Sequence, residues 1–422
     1  MIWILTVAIG ALFIVQWWLV RGFENFMRWK EPERTNDSFR PAVAVILCAR
    51  GADPFLESCL VALSQQDWPD YRVYFVTDDL RDPAVSVFET FLQAANSDRF
   101  ELRATVAHNV GRSLKCNSLF EVCSSLDPRF DVVALIDSDV VPCAQWITRL
   151  VAPLANDSTA ASCGMRWFEP NSNQLGSQIR AIWNAAAIVQ MNAYAIAWGG
   201  SLAIKRRALE MCGVLDAWQT ALFDDVLVGP MLARHGLNTR TCDDLVLVNR
   251  EEINLANAAR WIKRQLLDAK LYHPRWSFVF FHAIGVSGLA VSLLVFGLIS
   301  LFFGKMFTAA VCFAGLAVIQ LSNRWLLTRI EQAVNYALRG HPENPLTRPK
   351  QSWMANLFVV SLTQVVHLAA AFSAQLARSV RWRGVQYDIR GPHQIRMRQY
   401  VPMKEIQSSA ATSSEHSLDS IV

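Results

Sequence analysis

The sequence lacks several patterns that would assign it to a common class. Its nine cysteines include no CxxC pair and no cysteine–histidine cluster at zinc spacing, so in a reducing compartment they are most simply buried apolar residues. We find no internal repeat and no RNA- or DNA-binding module, and we predict no nucleic-acid partner. Charged residues are scarce at 18%, while 52% are hydrophobic, which excludes an ordinary soluble protein and also an all-membrane protein.

Long uncharged runs near both ends of the 422 residues resolve this mixed composition. Residues 2–20 carry no charge and match the length of a bilayer span. No positive n-region precedes them and no small-residue cleavage site follows, which favours an uncleaved anchor over a signal peptide. Residues 41–275 form a predicted soluble α/β domain. We predict a transmembrane hairpin over 278–322 and a basic cytoplasmic loop over 323–352.

The distribution of basic residues predicts the orientation. Four of them flank the inner end of the first span: Arg21, Arg28, Lys30 and Arg34. The positive-inside rule then places the soluble domain in the cytoplasm. Segment 353–376 is apolar but contains polar residues, and a full crossing there would put the basic part of tail 377–422 outside. An interfacial or re-entrant segment avoids this conflict, and a further crossing remains the alternative. Residues 408–414 are low in complexity, so we predict a disordered end.

Asp137-Ser138-Asp139 is the most informative feature. It ends the apolar, strand-like run 131–136, so two carboxylates follow a buried strand. Ligands of open α/β sheets bind at that edge. Two carboxylates one residue apart can hold a divalent cation against a diphosphate. The alternative is a plain strand–turn boundary, where Asp and Ser are common.

Short apolar runs alternate with helix-period segments along the domain. The predicted strands are 42–48, 71–77, 102–106 and 132–137, and the predicted helices are 55–66, 83–95, 113–124 and 144–154. This alternation predicts βαβ units and a parallel sheet. Polar residues follow each strand: Arg50-Gly51, Asp78-Asp79, His108, Lys115, Asp137 and Asp139. A nucleotide crevice explains them together, although Asp78-Asp79 alone is also typical of a turn.

Three later features allow two interpretations each. Gly199 and Gly200 precede a short strand, where they permit close backbone approach to a ligand or form a tight turn. Asp224-Asp225 precedes a helix, so Asp225 is either a cap or a base in the crevice. The basic helix 257–265 either faces solvent and lipid or neutralises a diphosphate.

Taken in order, Asp79, Asp137-Ser138-Asp139, Asp225 and Arg260-Trp261 resemble the D, DxD, D, (Q/R)xxRW signature of family-2 inverting glycosyltransferases. The match covers about 41–272. Within that group the chain is most similar to ceramide glucosyltransferases and related bacterial lipid glycosyltransferases. Four segments carry this similarity: Arg50 to Pro54, Asp79 to Ala84, Lys115-Cys116-Asn117 and Arg381 to Tyr387. Asn257 replaces the first Gln or Arg of the last motif, so the role of that position is open.

The resemblance implies a GT-A fold, which is an α/β domain with a mainly parallel sheet, plus transmembrane helices at both ends. It implies that Asp79 contacts the uracil of UDP, and that Arg50, Lys115, Asp137 and Gly200 also bind the nucleotide sugar. Asp139, with Asp137, would hold Mg²⁺ or Mn²⁺, and Asp225 would be the general base. Arg260, Trp261 and Arg264 would hold the diphosphate or line the acceptor entrance.

The implied function is transfer of a hexose, with glucose expected, from a UDP-sugar to the hydroxyl of a membrane lipid such as ceramide. The enzyme would be integral to a bacterial inner membrane or a Golgi- or ER-type membrane. Two alternatives are a processive polysaccharide synthase, which usually has more spans and an intact QxxRW, and an inactive membrane scaffold. The sequence predicts neither the oligomeric state nor the number of C-terminal crossings.

Overall fold

The computed structural model describes residues 2–28, 39–105, 111–339 and 353–412. His108, most of the second half of the predicted loop 323–352 and residues 413–422 lie outside this part. The described part contains a domain built on a seven-stranded sheet, four long apolar helices and a small C-terminal sheet.

The main sheet is mixed, with a parallel half that contains the predicted strands. Its strands are β1 (Val43–Cys48), β2 (Tyr71–Thr77), β3 (Phe100–Ala104), β4 (Val132–Asp137), β5 (Thr159–Phe168), β6 (Ser201–Lys205) and β7 (Asn238–Asn249). Their order is β3-β2-β1-β4-β6-β5-β7. Strands β1 to β4 pair in parallel, β6 runs antiparallel to both neighbours, and β5 and β7 are parallel. The predicted α/β fold with a mainly parallel sheet is confirmed.

Helices connect the strands and cover both faces of the sheet. In the domain they are α2 (Leu56–Ser64), α3 (Pro83–Ala95), α4 (Leu114–Ser124), α5 (Trp146–Val151), α6 (Leu175–Tyr194), α7 (Arg206–Met211), α8 (Val214–Trp218), α9 (Val228–Ala233) and α10 (Leu255–Tyr272). Alternate residues of β1 point to opposite faces, because Leu47 packs with Leu60 of α2 while Ile46 packs with Leu119 of α4. Burial on both faces explains the continuous apolar strands.

Several predicted boundaries differ from the structure by one to three residues. The helix predicted over 144–154 is shorter, since α5 ends at Val151 and a 3₁₀ turn, Ala152–Ala155, follows. Pro153 occupies the start of that turn, where its missing N–H and fixed φ are tolerated. The third strand begins at Phe100 and not at Leu102.

Among the described residues, four helices are long and apolar enough to cross a membrane. The first is α1 (Ile2–Arg28). The second is one continuous helix made of α11 (Trp276–Ala283), a π-helical turn (Ile284–Gly288) and α12 (Leu289–Phe302). The third and fourth are α13 (Met306–Leu338) and α14 (Trp353–Leu376). The prediction of a loop is wrong for residues 323–338, because helix α13 continues to Leu338. Its later turns are stabilised by packing against α1, and Arg329 forms an ion pair with Glu24 at 2.5 Å.

Helix α14 lies along the domain. Val360 packs in the same apolar cluster as Trp167 of β5. Near the other end of α14, the carbonyls of Ala374 and Gln375 accept hydrogen bonds from Lys270 of α10, at 3.1 and 2.7 Å. Helix α14 also packs against α13 and the π-helical turn, so it joins the domain to the other apolar helices, and the number of C-terminal crossings stays a prediction.

The C-terminal region is folded. Strands β8 (Ser379–Trp382), β9 (Val385–Gly391) and β10 (Gln394–Tyr400) form an antiparallel sheet, and α15 (Met403–Thr412) follows. The prediction of disorder is therefore wrong for residues 408–412, which belong to α15. Alternate residues of β9 are buried, and Tyr387 Oη accepts a hydrogen bond from the Leu114 amide at 3.1 Å. The tail is ordered because it packs on the domain, which its local composition does not indicate.

Candidate functional site: a carboxylate-lined cleft

A cleft of about 620 Å³ opens at the carboxyl ends of β1, β2 and β4. Its volume falls within the range of about 300–1,000 Å³ typical of small-molecule sites. The strand ends bring Arg50, Asp78, Asp137 and Asp139 to this edge. Helix α10 and the C-terminal sheet form the opposite wall. The expected clustering of polar side chains at one sheet edge is therefore observed for these four.

Lys115 links two acidic segments of the cleft. It lies at the start of α4, where Ser113 caps the helix by accepting a hydrogen bond from Cys116 N–H. Its Nζ is 2.8 Å from Asp137 Oδ1 and 3.1 Å from Asp224 Oδ2. Burial alone would lower the pKa of Lys115, but the two carboxylates raise it well above its ordinary value. The lysine therefore stays charged and holds the two segments together.

Asp137 and Asp139 have opposite electrostatic environments. Burial raises the pKa of Asp137, but Lys115 outweighs burial and the net pKa is lowered. Burial and the neighbouring Asp137 carboxylate raise the pKa of Asp139 to about 6. Asn249 Nδ2 donates to Asp139 Oδ2 at 3.2 Å. A half-buried carboxylate with so little positive compensation fits a divalent cation.

The protein alone supplies few metal ligands. Among the described residues, no group of three or more His, Cys, Asp or Glu side chains is arranged to hold a metal ion. A cation at Asp139 would therefore take further oxygen ligands from water or from a bound diphosphate, as Mg²⁺ commonly does. The donor set fits a cation that arrives with a nucleotide sugar.

The two glycines before β6 are needed for close approach to carboxylates. A Cβ on Gly200 would lie 2.7 Å from Asp137 Oδ2, and one on Gly199 would lie 2.6 Å from Asp224 Oδ2. The Gly199 amide donates to Asp225 Oδ2 at 2.7 Å. Any larger residue would displace the acidic side chains, so the glycines shape the site without supplying a reactive group.

Asp225 lines the cleft just before α9, and both of its oxygens are oriented by backbone amides. Oδ2 accepts from Gly199 and Oδ1 accepts from Val226 at 2.9 Å. Asp268 of α10 also lines the cleft. Burial and the nearby Asp225 carboxylate raise the pKa of Asp268 well above its ordinary value, which favours its protonated form.

Three arginines line the cleft on the side of α10: Arg166, Arg264 and Arg383. Arg166 lies over the ring of Trp261 at 4.8 Å, and Arg264 lies over the ring of Trp382 at 4.9 Å. Burial and the neighbouring arginines lower the pKa of Arg264 to about 10. These three half-buried cations form a site for a strongly anionic ligand.

The first loop is held by the C-terminal sheet. Arg50 forms an ion pair with Asp78, and it donates to the carbonyls of Arg383 at 2.8 Å and Val401 at 2.6 Å. Asp78 lines the cleft, whereas Asp79 does not and instead pairs with the exposed Arg81 at 3.1 Å. The hydrogen bond from Arg81 lowers the pKa of Asp79. Of the acidic pair, the structure thus brings Asp78 into the cleft.

The basic helix also divides into two faces. Trp261 and Arg264 line the cleft together with the buried Asn257. Arg260 is exposed on the other face, and its Nε is 3.4 Å from the carbonyl oxygen of Ala256. Helical periodicity separates Arg260 from Trp261 by about 100°, so adjacent motif residues cannot share one face.

The sequence placed Asp78 at the crevice only as part of Asp78-Asp79, and Trp382 and Arg383 only within the similar segment Arg381 to Tyr387, so none of the three was predicted to bind a ligand. Arg166 and Asp268 were not predicted at all. They lie inside an ordinary strand and helix, where no local pattern marks them.

A solved structure shares this architecture. A mannosyltransferase from Pyrobaculum calidifontis, in complex with GDP-Man and Mn²⁺, has a TM-score of 0.50 at 17% identity, with 88% of this chain and 99% of that chain covered. Glucosyl-3-phosphoglycerate synthase from Mycobacterium tuberculosis, in complex with Mn²⁺ and UDP-glucose, has a TM-score of 0.37 at 17% identity, covering 56% of this chain and 84% of that one. The first likeness shows the GT-A fold, as expected.

One curated relative is a ceramide glucosyltransferase from Komagataella phaffii, 25% identical over 115 residues. The match covers 26% of this chain and 22% of the relative, so the chain spans about a fifth of the curated protein that it matches. The sequence model of glycosyl transferase family 21 matches residues 1–395. The predicted glycosyltransferase resemblance is confirmed, and the chain belongs to glycosyl transferase family 21.

Proposed function

We propose that this membrane-bound nucleotide-sugar glycosyltransferase moves glucose from UDP-glucose to the primary hydroxyl of ceramide, with its catalytic domain in the cytoplasm. One observation carries the proposal. The cleft that contains Asp139 and Asp225 is walled by α10, and α10 also packs on the apolar helix α14. A donor site is thus one helix away from the membrane-associated part of the protein, which suits a lipid acceptor.

The donor would lie along the edge of the parallel strands. The 78–79 loop would contact the uracil, with Asp78 in the cleft and Asp79 beside it. Arg50 would support this loop, and Lys115 and Asp137 would flank the sugar, where Gly200 leaves room for the carboxylates. The half-buried cations Arg166 and Arg264 would face the diphosphate.

Asp139, with Asp137, would hold Mg²⁺ or Mn²⁺ beside the diphosphate. When bound, such a cation neutralises charge that develops on the leaving group. The fit of Asp139 to a cation rests on its place in the cleft beside Asp137 and on its raised pKa. Complexes of Mn²⁺ with the two solved relatives above support the same ion class.

The proposed reaction is a single displacement. Asp225 accepts the proton of the lipid hydroxyl, whose oxygen bonds to the anomeric carbon while the bond from that carbon to UDP breaks. UDP departs with the electron pair, and the anomeric centre is inverted. Trp261 and Arg264 would line the acceptor side, whereas the exposed Arg260 would contribute only at the entrance. Such general-base assistance contributes about 10²–10⁴-fold to the rate.

The test is an assay of the detergent-purified full chain with Mn²⁺, UDP-glucose and a short-chain fluorescent ceramide, with lipid separated by thin-layer chromatography. We expect one slower-migrating lipid that requires metal and is lost in Asp139→Ala. UDP release without a shifted lipid would reject ceramide and lead to diacylglycerol and hopanoid acceptors. A growing polymer would instead establish a processive synthase, and UDP binding without turnover of any sugar donor would establish a scaffold.

A further inference from the structure

The C-terminal sheet has one face on the domain and one face that is exposed. On the first face, Val385, Tyr387 and Ile389 of β9 are buried in the apolar cluster that also contains Ile262 of α10. Side chains alternate between the two faces of a strand, so their neighbours in sequence point away from the domain. This outer face carries four exposed arginines: Arg381, Arg390, Arg396 and Arg398.

The outer face has little negative charge to balance these arginines. Asp388 lies on it and pairs with Arg398 at 3.8 Å. Within the described part of the chain, Arg381, Arg390 and Arg396 form no ion pair. Arg378, which is exposed just before β8, forms none there either. Protein surfaces usually mix charges of both signs, so a face of one sign indicates a partner of opposite charge.

The sheet begins where two apolar helices meet the domain. Helix α14 ends at Leu376, and β8 follows from Ser379. Trp276, the first residue of α11, donates from Nε1 to Gln375 Oε1 at 2.8 Å. The domain-side ends of α11 and α14 therefore lie at the same level, and the sheet starts directly beyond it.

Exposed apolar side chains mark this level as the surface of the membrane. Phe278 and Phe281 of α11 are 68% and 69% exposed, and Leu376 is 77% exposed. Phe280 packs edge-to-face on Phe372 of α14, with ring centroids 5.8 Å apart. Aromatic residues are enriched where membrane-spanning helices meet the headgroups. The headgroup layer is therefore expected where α14 ends and the sheet begins.

Strand pairing keeps the arginines close to that level. The carbonyl of Arg378 accepts a hydrogen bond from the Ile389 amide at 2.8 Å, which places Arg390 beside the first residues after α14. Arg396 lies opposite Asp388, which in turn pairs with the first residue of β8. Neighbouring strands are about 4.8 Å apart, so Arg396 lies about 10 Å from the start of β8. Anionic headgroups attract basic residues over a Debye length of about 8–10 Å.

We propose that the outer face of the C-terminal sheet, together with Arg378, binds the headgroups of anionic phospholipids in the membrane that holds the apolar helices. A guanidinium group pairs well with a phosphate oxygen, and a headgroup with net negative charge is attracted more strongly than a zwitterionic one. The other face of β8 carries Trp382, which lines the donor cleft. Bound lipid would therefore hold this wall of the cleft at the headgroup plane.

The inference goes beyond the proposed function, because it does not depend on which sugar or which lipid reacts. The test is native mass spectrometry of the detergent-purified full chain, titrated with dioleoylphosphatidylglycerol or with dioleoylphosphatidylcholine. We expect wild type to bind the phosphatidylglycerol at least about tenfold more tightly, since each arginine at an anionic surface contributes about fivefold.

The variant for this test combines Arg378→Gln, Arg390→Gln and Arg396→Gln, and it should lose at least about tenfold of the lipid preference. Arg381 is kept because it adjoins Trp382. The three replaced residues are exposed and form no ion pair among the described residues, so thermal unfolding in detergent should stay close to wild type.

Two controls separate this face from net charge and from misfolding. The combination of Arg129→Gln, Arg207→Gln and Arg234→Gln removes the same charge from exposed positions at the opposite edge of the main sheet, so it should keep the preference. Replacing the three arginines of the test variant by lysine keeps their charge and should also keep most of the preference.

An increase in ammonium acetate from about 50 to about 500 mM should weaken binding of the phosphatidylglycerol and hardly affect the phosphatidylcholine. Equal affinity of wild type for the two lipids, or an unchanged preference in the glutamine variant, would overturn the proposal. An equal loss in the charge-matched control would also overturn it, since binding would then depend on net charge and not on this face.

Discussion

Lys115 Nζ lies 3.1 Å from Asp224 Oδ2, across the base of the donor cleft. The same nitrogen contacts Asp137 at the end of β4. One lysine therefore bridges the segment proposed to hold the metal ion and the segment proposed to supply the general base. Both ion pairs are largely buried. Removing one partner of a buried ion pair strongly destabilises the folded protein, because it leaves an unpaired charge.

Lys115→Met should therefore destabilise the folded protein by about 3–5 kcal/mol, the usual consequence of leaving buried carboxylates without their cation. Thermal unfolding in detergent measures the change. The double variant Lys115→Met with Asp224→Asn removes one orphaned charge and should recover part of the lost stability. A single variant as stable as wild type would show that the bridge does not matter.

Asp225→Asn should lower kcat about 10²–10⁴-fold, because the amide cannot accept the proton of the acceptor hydroxyl. The Gly199 amide can still donate to the remaining side-chain oxygen, so the fold and UDP binding should persist. Steady-state transfer rates and isothermal titration with UDP provide the two readouts. Transfer at the wild-type rate would exclude Asp225 as the base.

Affinity for Mn²⁺ should decrease in acid. The pKa of Asp139 is raised to about 6, so the folded protein without metal holds this proton up to about that pH. Stability contributed by the raised pKa is present at low pH and is lost as pH rises through about 6. A cation requires the deprotonated carboxylate, so its affinity should fall roughly tenfold per pH unit below 6. Titration of Mn²⁺ at pH 5, 6 and 7 tests this, with Asp139→Asn as the variant that should lose the dependence.

Asp268→Asn should retain most activity, whereas Asp268→Leu should not. Burial and the Asp225 carboxylate raise the pKa of Asp268, and an amide resembles the protonated acid in shape and in its ability to donate a hydrogen bond. In the leucine variant no donor is present, so we expect kcat to fall while the fold persists, and steady-state transfer rates measure the difference. Equal kcat in the two variants would mean that Asp268 serves only for packing.

Arg264→Ala and Arg260→Ala should differ strongly, although both arginines lie on one basic helix. Arg264 is aimed into the cleft beside Trp382, and removing one such electrostatic group costs about 10²-fold in kcat. Arg260 is exposed, and its removal should change kcat/KM by about twofold or less. Kinetics with varied UDP-glucose measure both. A larger loss in Arg260→Ala would place the diphosphate on the outer face of α10.

Much of the fold was predictable because local patterns are consistent with it. Apolar runs bounded by turns predicted β1, β2 and β4 closely, and parallel pairing then brought Asp78 and Asp137 to one edge. The tail was not predictable in this way. Its strands are short and basic, and they are stabilised by contacts such as that of Arg50 with Arg383 and Val401, which are distant in sequence.

The sequence by itself determined the kind of protein: an α/β domain between apolar segments, with acidic motifs in the order of a glycosyltransferase family. These properties follow from periodicity, composition and residue order, which are local. Only the tertiary structure decided which of two neighbouring candidates enters the cleft: Asp78 enters and Asp79 does not, and Arg264 enters and Arg260 does not. It also decided that Asp268 is buried at the cleft and that the tail completes the donor wall. Those outcomes depend on side-chain direction, burial and contacts between distant segments, and a linear sequence does not display them.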